Sequence, residues 1–263
     1  MTASSDRMPA LFVSHGSPMT IIEQTEGHFF LKELGTLVPR PKAILSVTAH
    51  WVSPHTAVSS DPQPETIHDF GGFPQELFDM QYPAPGAPEV AAAALKLLRD
   101  AGIDAVEVPK RGFDHGTWSP LILSYPDADI PVVQMAVQPR ENAAWHYKLG
   151  RALEPLRDQG VMILGSGSIS HNLRSYFNAE YAETPAWVTD FTDWVADSVR
   201  EKKVDELLDY LHAAPAPTIN HPTSEHWLPF YVALGAAGEA GTGTRIHESI
   251  DRVILAMDAY RFD

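Results

Sequence analysis

The chain contains no cysteine. That excludes disulfides, thiolate-ligated zinc or iron–sulfur sites, and a cysteine nucleophile. Any metal must be held by His, Asp, Glu or backbone oxygen. Positive charge is also scarce: 19 Lys and Arg stand against 34 Asp and Glu, a formal net charge of −15. An acidic surface repels phosphate, which argues against nucleic acid and against anionic membranes as partners. No apolar run approaches the ~20 residues that span a bilayer. Met1–Arg7 lacks the apolar core of a signal peptide. The expectation is a cytoplasmic protein, a monomer or small homo-oligomer, that acts on a small molecule. Neither an internal repeat nor a Ser-rich linker divides the sequence, so residues 1–263 read as a single domain. At 44% hydrophobic and 20% charged, that length buries a sizeable core.

Short apolar, β-branched runs alternate with longer helical patterns. The runs Ala10–Ser14, Ala43–Ala49, Ala105–Val108, Val132–Val137 and Val161–Gly165 read as strands. Helical periodicity covers Ala87–Ala101, Ala144–Gln159, Trp187–Glu201, Val204–Leu211 and Glu225–Ala237. Pro88 near a first turn, and Gly102 and Gly160 just past helix ends, agree with this punctuation. Thr223 or Ser224 is placed to cap the helix that carries His226. The stretches His55–Gly72 and Phe73–Pro88 are rich in Pro, Gly, Asp and His and read as long, functional loops. The alternation predicts an α/β fold, a central mostly parallel sheet flanked by helices.

Twelve histidines supply what cysteine does not. His15, His50 and His171 each follow a strand-like run, and His226 lies beside Glu225 in a Pro-flanked segment. Side chains from adjacent strand ends converge on one edge of an open sheet, and imidazole is the commonest metal ligand, so a metal enzyme is the leading hypothesis. Each also has a blander reading, as a packed or backbone-bonded histidine. Glu225 reads either as a ligand or as a solvated helix-start acid. His115, between Asp114 and Gly116, suits an acid or hydrogen-bond donor, or simply a turn. His68 shares that ambiguity. The remaining histidines read as surface or packing residues. The glycine-rich Gly165–His171 lacks a full phosphate-binding pattern, and no His-Glu-x-x-His or complete Gly-x-Ser-x-Gly is present.

Taken in order, the segments are more specific than any one of them. They are Ser14-His-Gly-Ser-Pro18, Thr48-Ala-His-Trp51, Thr66-Ile-His-Asp-Phe-Gly-Gly-Phe-Pro74, Tyr82-Pro-Ala-Pro-Gly86, Gly112-Phe-Asp-His-Gly-Thr-Trp118, Tyr125-Pro-Asp-Ala-Asp-Ile-Pro131, Ser166-Gly-Ser-Ile-Ser-His-Asn-Leu173 and Glu225-His-Trp-Leu-Pro229. From about Pro9 to near the C-terminus this series resembles the 4,5-DOPA extradiol dioxygenases, a branch of the class III extradiol ring-cleaving dioxygenases related to the protocatechuate 4,5-dioxygenase catalytic subunit. The resemblance implies a non-haem metal, Fe(II) when active, with Zn(II) as an alternative occupant. His15, His50 and His226 match the metal-ligand positions. His171 matches the acid/base histidine, which in this branch also reaches the metal as a fourth ligand. His115 matches a second active-site histidine that stabilises negative charge developing on oxygen or substrate. His68 and Trp118 are placed in the wall of the substrate pocket. One departure stands out: the protocatechuate branch has a carboxylate as third ligand, where this sequence has His226. The implied reaction inserts O2 into a catechol such as L-DOPA by 4,5-cleavage. Its product, a muconic semialdehyde, can cyclise to betalamic acid. The alternatives are a zinc-dependent hydrolase and a non-catalytic small-molecule binder on the same scaffold.

Overall fold

The computed structural model describes residues 7–178 and 181–263. Met1–Asp6, most of the segment read above as lacking an apolar leader core, lie outside the described residues. The strands are β1 (Ala10–Ser14), β2 (Ala43–Val52), β3 (Thr56–Ser59), β4 (Ala105–Val108), β5 (Val132–Val137), β6 (Val161–Gly167), β7 (Gly243–His247), β8 (Ile250–Asp251), β9 (Leu255–Ala256) and β10 (Ala259–Phe262). Eight of them form one sheet in the order β4-β3-β5-β2-β6-β1-β10-β7, and β8 pairs with β9 separately.

At the centre of the sheet β5, β2, β6 and β1 run parallel. Their residues are buried on both faces along almost the whole of each strand, which is why they read as continuous apolar runs rather than alternating ones. Alternate residues serve two cores. Phe12, Leu45, Val47 and Ile163 pack with the helices Pro88–Asp100, Ala143–Leu153, Ala186–Arg200 and Leu228–Ala236. Leu11, Val13, Ile44 and Leu164 pack with the helices Glu26–Leu37 and His115–Ser124. The sheet flanks are mixed: β3 meets β5 antiparallel, and β10 lies antiparallel between β1 and β7.

The five expected strands are present, β2 and β6 running longer than the sequence indicated. Gly102 and Gly160 take positive φ just beyond their helices, as expected of C-terminal glycines. Several elements differ from the expectation. The first supposed loop contains β3, and the second contains a short helix, Gln75–Asp79. The helix expected at 144–159 turns 3₁₀ after Leu153, and the one at 204–211 breaks between Leu208 and Tyr210. The last helix begins at Leu228, so His226 precedes it. Ser224 supplies its carbonyl, not its hydroxyl, to Trp227 N and Leu228 N, and Thr223 Oγ1 donates to Glu225. No described helix is long and apolar enough to cross a membrane.

Candidate metal centre and active site

The carboxyl ends of β2, β6 and β1 lie side by side. β1 ends at Ser14, and the next backbone N–H, that of His15, donates to Gly167 O at the end of β6 (3.0 Å). His50 lies in β2 just past Thr48, where pairing with β5 becomes irregular. His171 follows β6 after a short turn and is tied by its N–H to Asn220 O (2.9 Å). The segment carrying His226 lies directly on β6: Ser168 N donates to His226 O (2.9 Å). A Cβ at Gly167 would sit 2.1 Å from that carbonyl. Glycine is therefore required here by close approach of backbone to backbone, not for cradling a phosphate. Gly116 has a similar role, since a Cβ there would lie 2.9 Å from His50 Cδ2.

His15 Nε2 approaches His50 Nε2 to 3.1 Å, and His226 Nε2 approaches the same atom to 3.3 Å. The outer nitrogens of these rings face oxygen. His15 Nδ1 lies 3.0 Å from Ser166 Oγ. The Ser166 hydroxyl donates its one hydrogen to Gly116 O, so it accepts from His15. His226 Nδ1 lies 3.3 Å from Glu225 Oε1 and His50 Nδ1 3.4 Å from Asp69 Oδ2, both acceptors. Oxygens thus stand behind the Nδ1 atoms of all three rings, which favours a hydrogen there and turns the Nε2 lone pairs toward one another. Ligand nitrogens about 2.1 Å from one ion stand about 3.0–3.4 Å apart, so this donor set fits a metal.

All of these rings are held neutral. Burial, with His50, His226, His115 and His171 around it, holds His15 well below the usual histidine range. Burial, with His171 next in effect, does the same for His226. Burial and His115 push His50 down to about 3 against the pull of Asp69. Burial pushes His171 down to about 4 against the pull of Glu225. Asp69 has the opposite balance: burial raises it, but hydrogen bonds from His115 prevail and hold it at about 2.

Beside these nitrogens opens a cavity of about 520 Å³. His15, His50, His115, His171 and His226 all line it, so five histidines chosen from the sequence meet in one place. The His171 ring stacks on His226 with centroids 3.5 Å apart, and the His115 ring lies 3.8 Å from that of His50. His15, His50 and His115 offer ligand atoms within 4.8 Å of one another, as do His171, Glu225 and His226. The apolar wall comes from Phe70, Phe73, Tyr176, Phe177 and Leu255. His68 and Trp118 do not line the cavity. Trp118 is fully buried with its indole N–H on Ile67 O (2.9 Å), and His68 Nε2 is engaged with Met80 O (3.0 Å). The Phe70 ring packs against His68, Trp118 and His115 and takes the wall position instead. Asp69, not selected from the sequence, touches both His50 and His115.

A histidine-lined cavity lies at the carboxyl edge of this α/β sheet, and the chain that builds it has matches among known proteins. Residues 9–256 match the family model described as the catalytic LigB subunit of aromatic ring-opening dioxygenase. The chain belongs to the LigB family. A protein of Escherichia coli (strain K12) named 4,5-DOPA dioxygenase extradiol is 44% identical over 237 residues, 89% of this chain and 86% of that protein. One of the same name from Beta vulgaris is 40% identical over 95% of both. The crystal structure of an uncharacterized protein from Escherichia coli K12 superposes with a TM-score of 0.80 at 36% identity, covering 97% of this chain and 99% of that one. This LigB chain is therefore an extradiol-type, ring-opening dioxygenase that acts on a small aromatic substrate and O2. Enzymes of the LigB family depend on a metal.

Proposed function

We propose that the protein cleaves a catechol such as L-DOPA at the 4,5 position, yielding a muconic semialdehyde that can cyclise to betalamic acid. His15, His50 and His226 hold the metal, and His171 handles protons beside it. The observation that carries this reading is the convergence of three bare Nε2 atoms at 3.1 and 3.3 Å on the rim of an aromatic-walled cavity. The names of the relatives support the choice of substrate. Fe(II) in that cradle supplies the redox chemistry that O2 insertion needs, whereas Zn(II) supplies only Lewis acidity.

The protein's own part is orientation and proton handling. Phe70, Phe73 and Tyr176 receive the ring by stacking and edge contacts. His171 is neutral at physiological pH and accepts a proton from a catechol hydroxyl. Glu225, whose charge favours protonated His171, stabilises the imidazolium so formed. Holding that proton beside the reacting ring lets His171 return it at a later step. Phe70, Phe73, Phe177 and Leu255 give the cavity an apolar side, which limits competing water there.

The test is anaerobic loading with Fe(II), then addition of L-DOPA and oxygen. Oxygen uptake with a yellow product is expected. No oxygen uptake with L-DOPA or any of a panel of simpler catechols overturns the proposal. A hydrolase on this scaffold would consume no oxygen.

A further inference from the structure

The cavity histidines are fixed by different partners, and one partner is shared. Asp69 lies in the loop before the helix Gln75–Asp79, and its two carboxylate oxygens go to two different rings. Oδ1 accepts from His115 Nδ1 (3.0 Å) and from the His115 backbone N–H (2.9 Å). Oδ2 lies 3.4 Å from His50 Nδ1. An ionised carboxylate only accepts, so a ring that faces it with Nδ1 carries its hydrogen there and keeps Nε2 bare. His50 then turns a lone pair toward His15 and His226, and His115, which lines the cavity, keeps one on its other nitrogen.

We infer that Asp69 is a positioning residue that sets both His50 and His115, aiming one bare Nε2 at the metal cradle and the other at a catechol hydroxyl. This rests on the function proposed above and changes His115 within it. With Nδ1 donating to Asp69, the His115 ring accepts at Nε2 a hydrogen bond from substrate instead of donating one to it. A catechol carries two adjacent hydroxyls, and His171 and His115 offer one acceptor each. Asp69 also explains why the two rings stay together although their centroids are only 3.8 Å apart: one anion anchors both.

The arrangement makes two substitutions behave differently. In Asp69→Asn the amide oxygen is held on the His115 side, where it accepts two hydrogen bonds. The NH2 is then left facing His50 Nδ1. That nitrogen must accept, which moves the His50 hydrogen to Nε2 and spoils it as a ligand. Asp69→Ala removes support from both rings. Direct Zn(II) titration is expected to show metal affinity falling about 10- to 100-fold in Asp69→Asn, as for other carboxylates behind ligating histidines. Asp69→Ala is expected to lose, in addition, about 10-fold more kcat than Asp69→Asn at saturating Fe(II). Nitrogen-15 NMR of histidine side chains in the Zn(II)-loaded wild-type protein is expected to place the His115 hydrogen on Nδ1. This last measurement decides the matter even if neither variant folds, and a hydrogen on His115 Nε2 overturns the inference. Wild-type Zn(II) affinity in both variants also overturns it. A His50→Ala control separates the two readings: if it binds Zn(II) like wild type, the metal centre itself is misassigned, whereas if it alone loses Zn(II), only the role of Asp69 falls.

Discussion

At the amino ends of β1 and β6 one cation, Arg157, is fully buried, and at their carboxyl ends five histidines are gathered around a cavity. The two ends treat buried polarity in opposite ways. Arg157 donates to Met8 O (2.6 Å), Ala236 O (2.6 Å) and Phe262 O (3.2 Å), joining the start of β1, the end of a helix and the end of β10. Burial lowers it only to about 10, so it stays charged at neutral pH. Its charge is shared among these three backbone carbonyls. At the other end burial lowers His15, His50, His171 and His226, and the Nε2 atoms of His15 and His226 lie 3.1 and 3.3 Å from that of His50. One end is satisfied by the chain itself; the other turns its imidazoles toward a cavity. The same sheet separates stability from chemistry along the strand direction, as α/β folds do when ligands gather at carboxyl ends.

The sharpest way to break this contrast is to remove a ligand from the reactive end. His50→Ala is expected to abolish metal binding and to lower kcat by about 1,000-fold or more, the equivalent of several kcal/mol of metal-derived catalysis. Its folding is expected to survive, because the ring contributes to a cradle and not to a core. Metal analysis after dialysis, with a melting curve on the same sample, checks both statements. His171→Ala is expected to come next, with kcat down about 10²- to 10⁴-fold and metal content near wild type. Retained turnover in that variant removes the proton-handling role.

How far the sequence revealed these two ends differs in an instructive way. The reactive end was legible because its histidines stand at strand ends or in short, distinctive segments, and strand ends are easy to read from continuous apolar runs such as Ala43–Ala49. Asp69 was not legible. It lies in a Pro- and Gly-rich loop with no periodicity, and its importance comes from contacts 19 and 46 positions away, to His50 and His115. Trp118 misled for a related reason: the sequence shows an aromatic near His115 but not that Ile67 O takes its indole N–H and Phe70 covers it. The helix His115–Ser124 escaped notice because it is buried on nearly every side and contains Pro120, so it has no polar face to create a period. β7 and β10 escaped because they are short and carry Arg245 and Arg261. The Arg157 knot was invisible for a deeper reason. Its three acceptors are backbone carbonyls, which have no signature in sequence.

The satisfied end is tested by Arg157→Met, which keeps much of the volume but removes the donors. Leaving buried carbonyls short of partners costs about 1–3 kcal/mol each, so a loss of about 3 kcal/mol is expected, with Tm lower by about 6–12 °C. Zn(II) affinity is expected to stay near wild type, because the change lies at the far end of the strands. A large loss of metal affinity in this variant would mean that the two ends are coupled, and the comparison would have to be abandoned.

The smallest expected effect concerns pH, and it arises from groups of opposite sign at the reactive end. In the metal-free protein the histidines are held below their ordinary range, His50 and His221 to about 3 and His171 to about 4, burial being the largest cause in each. As pH falls below about 6.5 the unfolded chain takes up protons that the folded chain refuses, so stability is lost between about pH 6.5 and pH 4. Asp258, beside the end of β1, works the other way. Burial pushes its carboxyl up to about 7, although Arg245 Nη1 lies 3.2 Å away and pulls it down. Between about pH 4 and pH 7 the folded chain holds a proton that the unfolded chain has released, so this group's contribution is lost as pH rises. Asp258→Asn imitates the protonated acid. The amide keeps an oxygen for Arg245 but gives up the charge attraction, so a net gain of about 1 kcal/mol, or about 2–4 °C in Tm, is expected at pH 8. The gain is expected to vanish by pH 4, where the wild-type group is itself protonated. Melting curves of the metal-free proteins across that range measure both slopes. A variant whose advantage is the same at pH 4 and pH 8 would show that Asp258 is ionised throughout, and that burial at the reactive end strips charge from its histidines alone.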